Sequence, residues 1–183
     1  TVLSLCRLPA PPVLDTARAL RSIEGWWTTW FALEHDPSGL ASERNVLRYR
    51  PLSGVVLRVD GDTSGAAIEI ATAAARRCGT PMVVSDASAE TLETSLGRLG
   101  PDGPAVERVR WLAAGEVPPT ASLADRAISV DASPVHPDGR VELPRWLKEQ
   151  SISETAHRYG RLQVSSGRRA GEAAAGGRRR WPR

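Results

Sequence analysis

The spacing of apolar positions changes rhythm twice between Gly54 and Ser85. Val55 to Val59 is a β-branched apolar run with one polar interruption, Arg58. It is bounded by Gly54 and Gly61 and is short enough to be a buried strand rather than a helix. From Ala66 the apolar positions recur every three or four residues, at Ala66, Ala67, Ile70, Ala73 and Ala74. Glu69, Arg76 and Arg77 lie off that stripe or near its end, which predicts an amphipathic helix. Thr63 or Ser64 is placed to cap it, because a short hydroxyl side chain satisfies first-turn amides. Cations in the last turn suit the helix dipole, and Gly79 stands where a left-handed cap is wanted. Pro81 cannot continue the helix, and Met82 to Val84 is a second apolar strand. Strand, helix and strand in this order predict a right-handed parallel crossover.

Upstream, Pro9, Pro11 and Pro12 mark an extended lead-in over residues 1–12. Asp15 or Thr16 then caps a predicted helix running to about Leu33, with Leu20, Ile23, Trp27, Trp30 and Phe31 on one face and Trp26 off the stripe, facing another element. A helix covering the core explains this tryptophan cluster better than a ligand-stacking platform does. His35-Asp36-Pro37-Ser38-Gly39 is turn chemistry, and a histidine in such a turn is more often a local hydrogen-bond partner than an acid/base group.

Downstream, Asp86 to Ser88 is expected to start a helix through about Leu96, followed by a loop with Gly97, Gly100, Pro101, Gly103 and Pro104. Val106 to Leu112 reads as a more exposed strand or a short mixed segment. Pro118-Pro119-Thr120 opens a short helix around Ser122 to Arg126, and Ala127 to Val130 reads as a buried strand. After a loop with Pro134, Pro137 and Gly139 comes a short helix near Leu143 to Lys148. Gln150 to His157 alternates, with Ile152 and Ala156 opposing Ser151, Ser153, Thr155 and His157, and predicts a final strand near an edge. Residues 161–183 are low in complexity and are expected to form a disordered tail.

Charge changes little once it is divided. The net charge of +3 arises because seven arginines and one glutamate give residues 161–183 a charge of +6, leaving −3 for the rest. A basic field suited to nucleic acid is therefore absent from the body of the chain. Of the 24 basic residues only Lys148 is not arginine. Cys6 and Cys78 are too few and too far apart for a zinc site or a disulfide framework, and no metal site is expected. Cys78 stands at a helix end, where the dipole raises a thiol pKa, and nothing in the spacing asks for a Cys78/His157 dyad. No apolar run reaches the length of a membrane span and no secretory leader is evident, so a cytoplasmic location is expected. The single methionine is Met82, so the chain is expected to be part of a longer polypeptide.

The run Arg48-Tyr49-Arg50-Pro51-Leu52-Ser53-Gly54-Val55-Val56-Leu57, with its helix and Pro81-Met82-Val83-Val84-Ser85, resembles the opening nucleotide-binding unit of the aldehyde dehydrogenase superfamily. Gly39-Leu40, Glu43-Arg44-Asn45 and the stretch from Arg145 to Gly160 (Arg-Trp-Leu-Lys-Glu-Gln-Ser-Ile-Ser-Glu-Thr-Ala-His-Arg-Tyr-Gly) resemble one group more closely. That group is the C-terminal region of bacterial fused proline dehydrogenase/L-glutamate-γ-semialdehyde dehydrogenases of the proline utilization A type. The resemblance implies a parent protein with FAD-dependent and NAD-dependent catalytic parts, and a C-terminal degenerate aldehyde dehydrogenase domain that covers an internal tunnel and aids assembly.

Departures from the superfamily pattern are chemical. An aldehyde dehydrogenase uses a cysteine nucleophile, a glutamate that activates water and an asparagine that stabilises the oxyanion. The Pro-Trp-Asn turn that carries the asparagine is matched here by Gly61-Asp62-Thr63-Ser64, and the lysine that contacts the adenosine ribose by Ser85. Neither a Glu-Leu-Gly-Gly nor a Gly-Gln-x-Cys motif occurs. The turn Gly61, Asp62, Thr63, Ser64 still precedes a helix N-terminus able to hold a phosphate, although Asp62 would repel one.

The expectation is an α/β domain over residues 13–160, with a Rossmann-like, mostly parallel sheet, flanking helices and a final strand that pairs elsewhere. No catalytic residue and no cofactor are assigned within it. Trp26, Trp27, Trp30 and Ile152 are the expected contact residues, toward the catalytic aldehyde dehydrogenase region of the same polypeptide or a second subunit. The alternatives are a solitary domain with residual NAD(H) binding at Gly61 to Ser64, and nucleic-acid binding through the arginine tail.

Overall fold

The structure is a computed structural model that describes residues 14–40, 42–99, 105–115, 117–155, 157–158 and 161–162. The lead-in through Pro12, Cys6, the loop from Gly100 to Pro104, Ala156 and the arginines from Arg168 onward lie outside the described residues.

The crossover forms as the pattern predicts. Strand β2 (Val55–Val59) is buried along its whole length and pairs in parallel with β3 (Met82–Asp86). Helix α2 (Gly65–Cys78) connects them. Ser64 is its N-cap, its hydroxyl accepting from the Ala67 amide at 3.2 Å, while Thr63 turns back to Asp60 instead. Gly79 closes the helix at φ 73°, and the Thr80 amide reaches the Ala75 carbonyl at 3.0 Å, a Schellman-type end that satisfies an orphan acceptor.

On its other side β2 pairs in parallel with β4 (Arg108–Trp111), which pairs with β5 (Ser129–Asp131), giving the order β3-β2-β4-β5. The sheet is Rossmann-like. Period-two alternation divides the core in two. Val55, Leu57 and Val59 face α1 (Thr16–Trp26) and α2, packing on Ile23, Ile70, Ala71 and Ala74. Val56 and Val109 face α3 (Leu92–Arg98) and α4 (Thr120–Ala124), packing on Leu96, Leu123 and Ile128.

Several elements differ from expectation. The strand at Arg108–Trp111 is not exposed but interior, with Arg110 fully buried, because polar partners for its guanidinium converge from later in the chain. Helix α3 begins at Leu92, capped by Thr91. Asp86 and Ser88 spend their capping chemistry on a closed turn, in which Asp86 Oδ1 accepts from the amide and hydroxyl of Ser88 at 2.8 and 2.7 Å. Gly97 belongs to α3 rather than to a loop. The first helix is interrupted after Trp26 by a π-turn over Trp27–Phe31. Thr28 and Thr29 bond back to the Glu24 and Gly25 carbonyls at 2.7 Å each. The wider turn shifts the helical phase. Phe31 is therefore buried, whereas Trp30 leaves the expected apolar stripe and stands 42% exposed.

The last region is α5 (Gly139–Glu142), a 3₁₀ turn over Leu143–Trp146, and β6 (Leu147–Thr155). Lys148 is thus in the strand, not the helix. Strand β6 finds its partner within the chain: it runs antiparallel to β1 (Glu43–Pro51), with Val46 opposite Ile152. A two-stranded ribbon of nine residues a side projects from the domain. Arg161 and Leu162, expected at the start of the tail, form β8 and pair antiparallel with β7 (His157–Arg158).

Candidate functional site

In an open parallel sheet, ligands bind where the strand order reverses, outside the carboxyl ends of the two central strands. Here that point lies between β2 and β4, and Asp60 fills it. Its Oδ1 accepts from the Thr63 hydroxyl at 2.8 Å and the Asp62 amide at 3.2 Å, and its Oδ2 accepts from the Gly115 amide at 3.0 Å. The Gly115 amide and the Thr63 hydroxyl hold this carboxyl below the usual carboxylate range. The four expected residues Gly61, Asp62, Thr63 and Ser64 lie together in the turn, but two of their hydroxyls are committed, Thr63 to Asp60 and Ser64 to the Ala67 amide. With Asp62 exposed beside it, Asp60 gives the turn two carboxylates facing any incoming phosphate. Sequence reading singled out Asp62 and passed over Asp60.

A groove of about 630 Å³ lies on the α3/α4 side of the same strand ends, lined by Arg58, residues 87–92, Trp111, Val117 and Pro119. Arg58 is its buried cation, only 2% exposed. Its Nη1 donates to Ser85 Oγ at 2.7 Å and to the Glu90 carbonyl at 2.8 Å, and the guanidinium lies 6.0 Å from the Trp111 ring centroid. Ser85, which stands where the superfamily resemblance places a ribose-contacting lysine, is buried and bonded to Arg58. A polar interruption in an otherwise apolar strand was the signal available for this arrangement.

Cys78 is not a nucleophile in this setting. Burial pushes its thiol far above the ordinary range, with the Glu142 carboxylate adding to the rise and Arg77 opposing it, and its nearest polar partner is the Leu143 carbonyl at 3.9 Å. The His157 side chain lies outside the described residues. Among the described residues no group of three His, Cys, Asp or Glu could hold a metal ion, and no helix is long and apolar enough to cross a membrane.

Buried charge concentrates instead at the root of the ribbon. Glu142, fully buried, accepts from Arg110 Nη2 at 3.3 Å and Trp146 Nε1 at 3.1 Å on one oxygen, and from the His136 amide at 2.9 Å on the other. Arg145 Nε adds an ion pair at 3.6 Å. Arg110 Nη1 donates to the Ser133 carbonyl at 2.8 Å and pairs with Asp131 at 3.2 Å. Desolvation pulls the Arg110 pKa down, its neighbouring carboxylates opposing. Burial works against ionisation of Asp131, but the charge of Arg110 and the hydrogen bonds of Ser133 outweigh it and hold that carboxyl low.

The expected contact residues divide. Trp26 and Trp27 are half-buried against the core, each under an arginine: Arg140 at 5.4 Å and Arg77 at 5.2 Å from the ring. Arg77 is itself held by both oxygens of Glu24, at 2.6 and 2.9 Å. Trp30 is the outward member, stacked on His35 at 3.9 Å between centroids, with its indole N–H 3.4 Å from the Tyr49 hydroxyl. His35 clasps the π-turn to the ribbon, exchanging backbone hydrogen bonds with Leu47 at 2.9 and 2.8 Å. Ile152 lies on the ribbon face of Val46, half-buried and distant in register from the root.

Comparison with models of protein families finds no match, and no curated protein matches. Among solved structures the chain is similar to Proline Utilization A (PutA) from Corynebacterium freiburgense, with 31% sequence identity and a TM-score of 0.58. The likeness covers 86% of this chain and 16% of that one, so the chain spans a small part of that protein's length. Over most of its length, then, the chain is PutA-like in both fold and sequence.

Proposed function

We propose that the chain is a non-catalytic accessory domain of a bifunctional proline-to-glutamate enzyme, a degenerate aldehyde dehydrogenase fold that covers an internal tunnel and joins the assembly. The observation that carries the reading is the 31% identity to a PutA protein over 86% of this chain. The chemistry of the residues supports it: Asp60 plugs the switch point, Ser85 is tied to Arg58, and the thiol of Cys78 is buried at the wrong end of its helix. The parent protein supplies FAD and NAD in its catalytic regions, and the domain needs neither. It works in the cytoplasm, against the catalytic aldehyde dehydrogenase region of the same polypeptide or a second subunit.

The ribbon and the Trp30 surface are the contact surfaces of this reading. Strand β6 pairs only with β1 among the described residues, and most of its side chains are exposed. Ile152→Asp places a charge beside Val46, on the same ribbon face, without touching the sheet core. Association with a separately produced catalytic region, followed by sedimentation velocity, is expected to be lost while the near-ultraviolet circular dichroism of the domain is kept. Unchanged association would count against the reading.

A second reading, residual NAD(H) binding, draws on the groove beside Arg58 and Trp111 and on the Gly61 to Ser64 turn. Calorimetric titration with NAD distinguishes it. Micromolar affinity that disappears in Gly61→Trp, where the backbone has open space around it, would favour this reading over the first.

A further inference from the structure

We infer that the buried Glu142–Arg110 pair is a positioning device that fixes the angle at which the β1–β6 ribbon leaves the sheet. The consequence for partner docking rests on the assembly reading above; the aiming role does not.

Three observations converge on this pair. First, the pair sits at the ribbon's root. Glu142 ends α5, and β6 starts five residues later, after a 3₁₀ turn whose Trp146 donates its indole N–H to the same carboxylate. The Trp146 carbonyl accepts from the Leu52 amide at 3.1 Å and the Thr80 hydroxyl at 2.7 Å, and Leu52 directly follows β1. Trp146, whose indole is held by Glu142, therefore ties the root of both strands to the sheet.

Second, the pair is not an economical source of stability. Arg110 and Glu142 are both fully removed from water, and Arg110 Nε has no hydrogen-bond partner among the described residues. A buried ion pair is commonly no more stabilising than apolar side chains of similar volume, and an orphaned buried donor is a further penalty. What the pair supplies that an apolar pair would not is direction. Two fixed acceptors on Glu142 and a planar fork on Arg110 admit one arrangement of the 131–136 segment, the 3₁₀ turn and β4.

Third, the ribbon needs aiming from outside itself. A two-stranded ribbon is marginal by itself in water; β1 is held from one side by His35, Glu34 and the Phe31–Tyr49 contact, whereas β6 beyond Leu147 is mostly exposed and takes its line from the root.

The test uses the full chain with nitroxide labels at Ser151→Cys on β6 and Glu69→Cys on the exposed face of α2, in a Cys6→Ser, Cys78→Ala background. Distances are read by double electron–electron resonance. Glu142→Gln alone leaves Arg110 uncompensated and risks unfolding, so the decisive variant is Arg110→Met/Glu142→Leu, which removes both charges together. The parent is expected to give one narrow distance. The double variant, which also strands the Trp146 indole N–H and the His136 amide, is expected to stay folded but melt below the parent, to give a distribution at least twice as wide and to bind the catalytic region at least tenfold more weakly. A distribution as narrow as the parent's would overturn the inference. So would a double variant that fails to fold, since the pair would then be holding the domain together rather than aiming the ribbon. A widened distribution with unchanged binding would sustain the aiming role and count against the assembly reading instead.

Discussion

Gly139→Ala tests how α1 is docked, and with it the tryptophan surface that α1 carries. A β-carbon at position 139 would lie 2.7 Å from the Cα and N of Ile23 and 2.7 Å from the Ser22 carbonyl oxygen. Non-bonded carbon contacts settle near ~3.5–4.0 Å, so the two helices must part by about 1 Å. The obstacle is backbone, so no rotamer change relieves it. Overpacking of this kind costs about 1–3 kcal/mol. The separation also strains the link in which the Gly139 amide donates to Ser22 Oγ at 2.9 Å and Ser22 Oγ donates to Asp138 at 3.2 Å, bonds with a net worth of about 1 kcal/mol each. Replacing glycine by alanine returns at most about 1 kcal/mol through helix propensity, and less at the first residue of a four-residue helix. The balance is a loss of about 2–4 kcal/mol. Urea denaturation followed by far-ultraviolet circular dichroism measures it, with Gly97→Ala in α3 as the matched control. A β-carbon at Gly97 meets nothing within 4 Å, and that variant is expected to gain about 0.5–1 kcal/mol. If Gly139→Ala stays within about 0.5 kcal/mol of the parent, the close approach of α1 and α5 is not what the structure describes.

Three further outcomes are expected. Stability should fall above about pH 8.5, the ordinary thiol pKa, by about 1.4 kcal/mol per pH unit, because the folded-state pKa of Cys78 lies above the unfolded one and stability drains as pH rises between them; Cys78→Ala should remove that slope in urea melts at pH 7 to 10. The reverse sign holds for Asp131, whose folded-state pKa is depressed: the stability difference between parent and Asp131→Asn should be whole at pH 7 and shrink as pH falls below about 4, and a difference that persists at pH 2.5 would refute its ionic origin. Gly79→Ala, forced to adopt φ 73°, should lose about 1 kcal/mol in the same melts, whereas Gly61→Ala should change stability little.

What the sequence made legible was local. The crossover from Val55 to Ser85 could be read because each signal in it acts within a few residues: the β-branched run, the Ser64 cap, the alanine stripe and the Gly79 end. The misreadings share one cause, a partner far away in the chain. Two arginines made Arg108–Trp111 look exposed, yet the groups that satisfy Arg110 arrive 21 to 32 residues later. Strand β1 carries a short apolar alternation, Leu47, Tyr49 and Pro51 against Arg48 and Arg50, but its pairing partner β6 lies about a hundred residues on, and no local signal points to it. Asp86 and Ser88 sent a true capping signal that closed on itself instead of on a helix. Trp30 was misplaced by the single extra residue of a π-turn.

The same distinction decides which candidate site was readable. Gly61 to Ser64 was visible as a turn before a helix, a feature that by itself would suit a phosphate. Its occupant was not visible, because Asp60 closes the turn by reaching across to Gly115, 55 residues further on. Replacing Asp60 therefore separates two accounts of this fold. If the carboxylate is a plug in a site that once held a nucleotide, Asp60→Asn should keep part of the stitch to Gly115, remove one of the two charges facing a phosphate, and raise any NAD affinity. If the turn is simply the joint between β2 and β4, Asp60→Asn should lower stability, since an uncharged amide accepts the Gly115 and Thr63 hydrogen bonds more weakly, and leave NAD affinity as it was. Calorimetric titration and a urea melt on the same preparation tell these apart, because the hydrogen bonds from Gly115 and Thr63 that hold the Asp60 carboxyl low are common to both accounts.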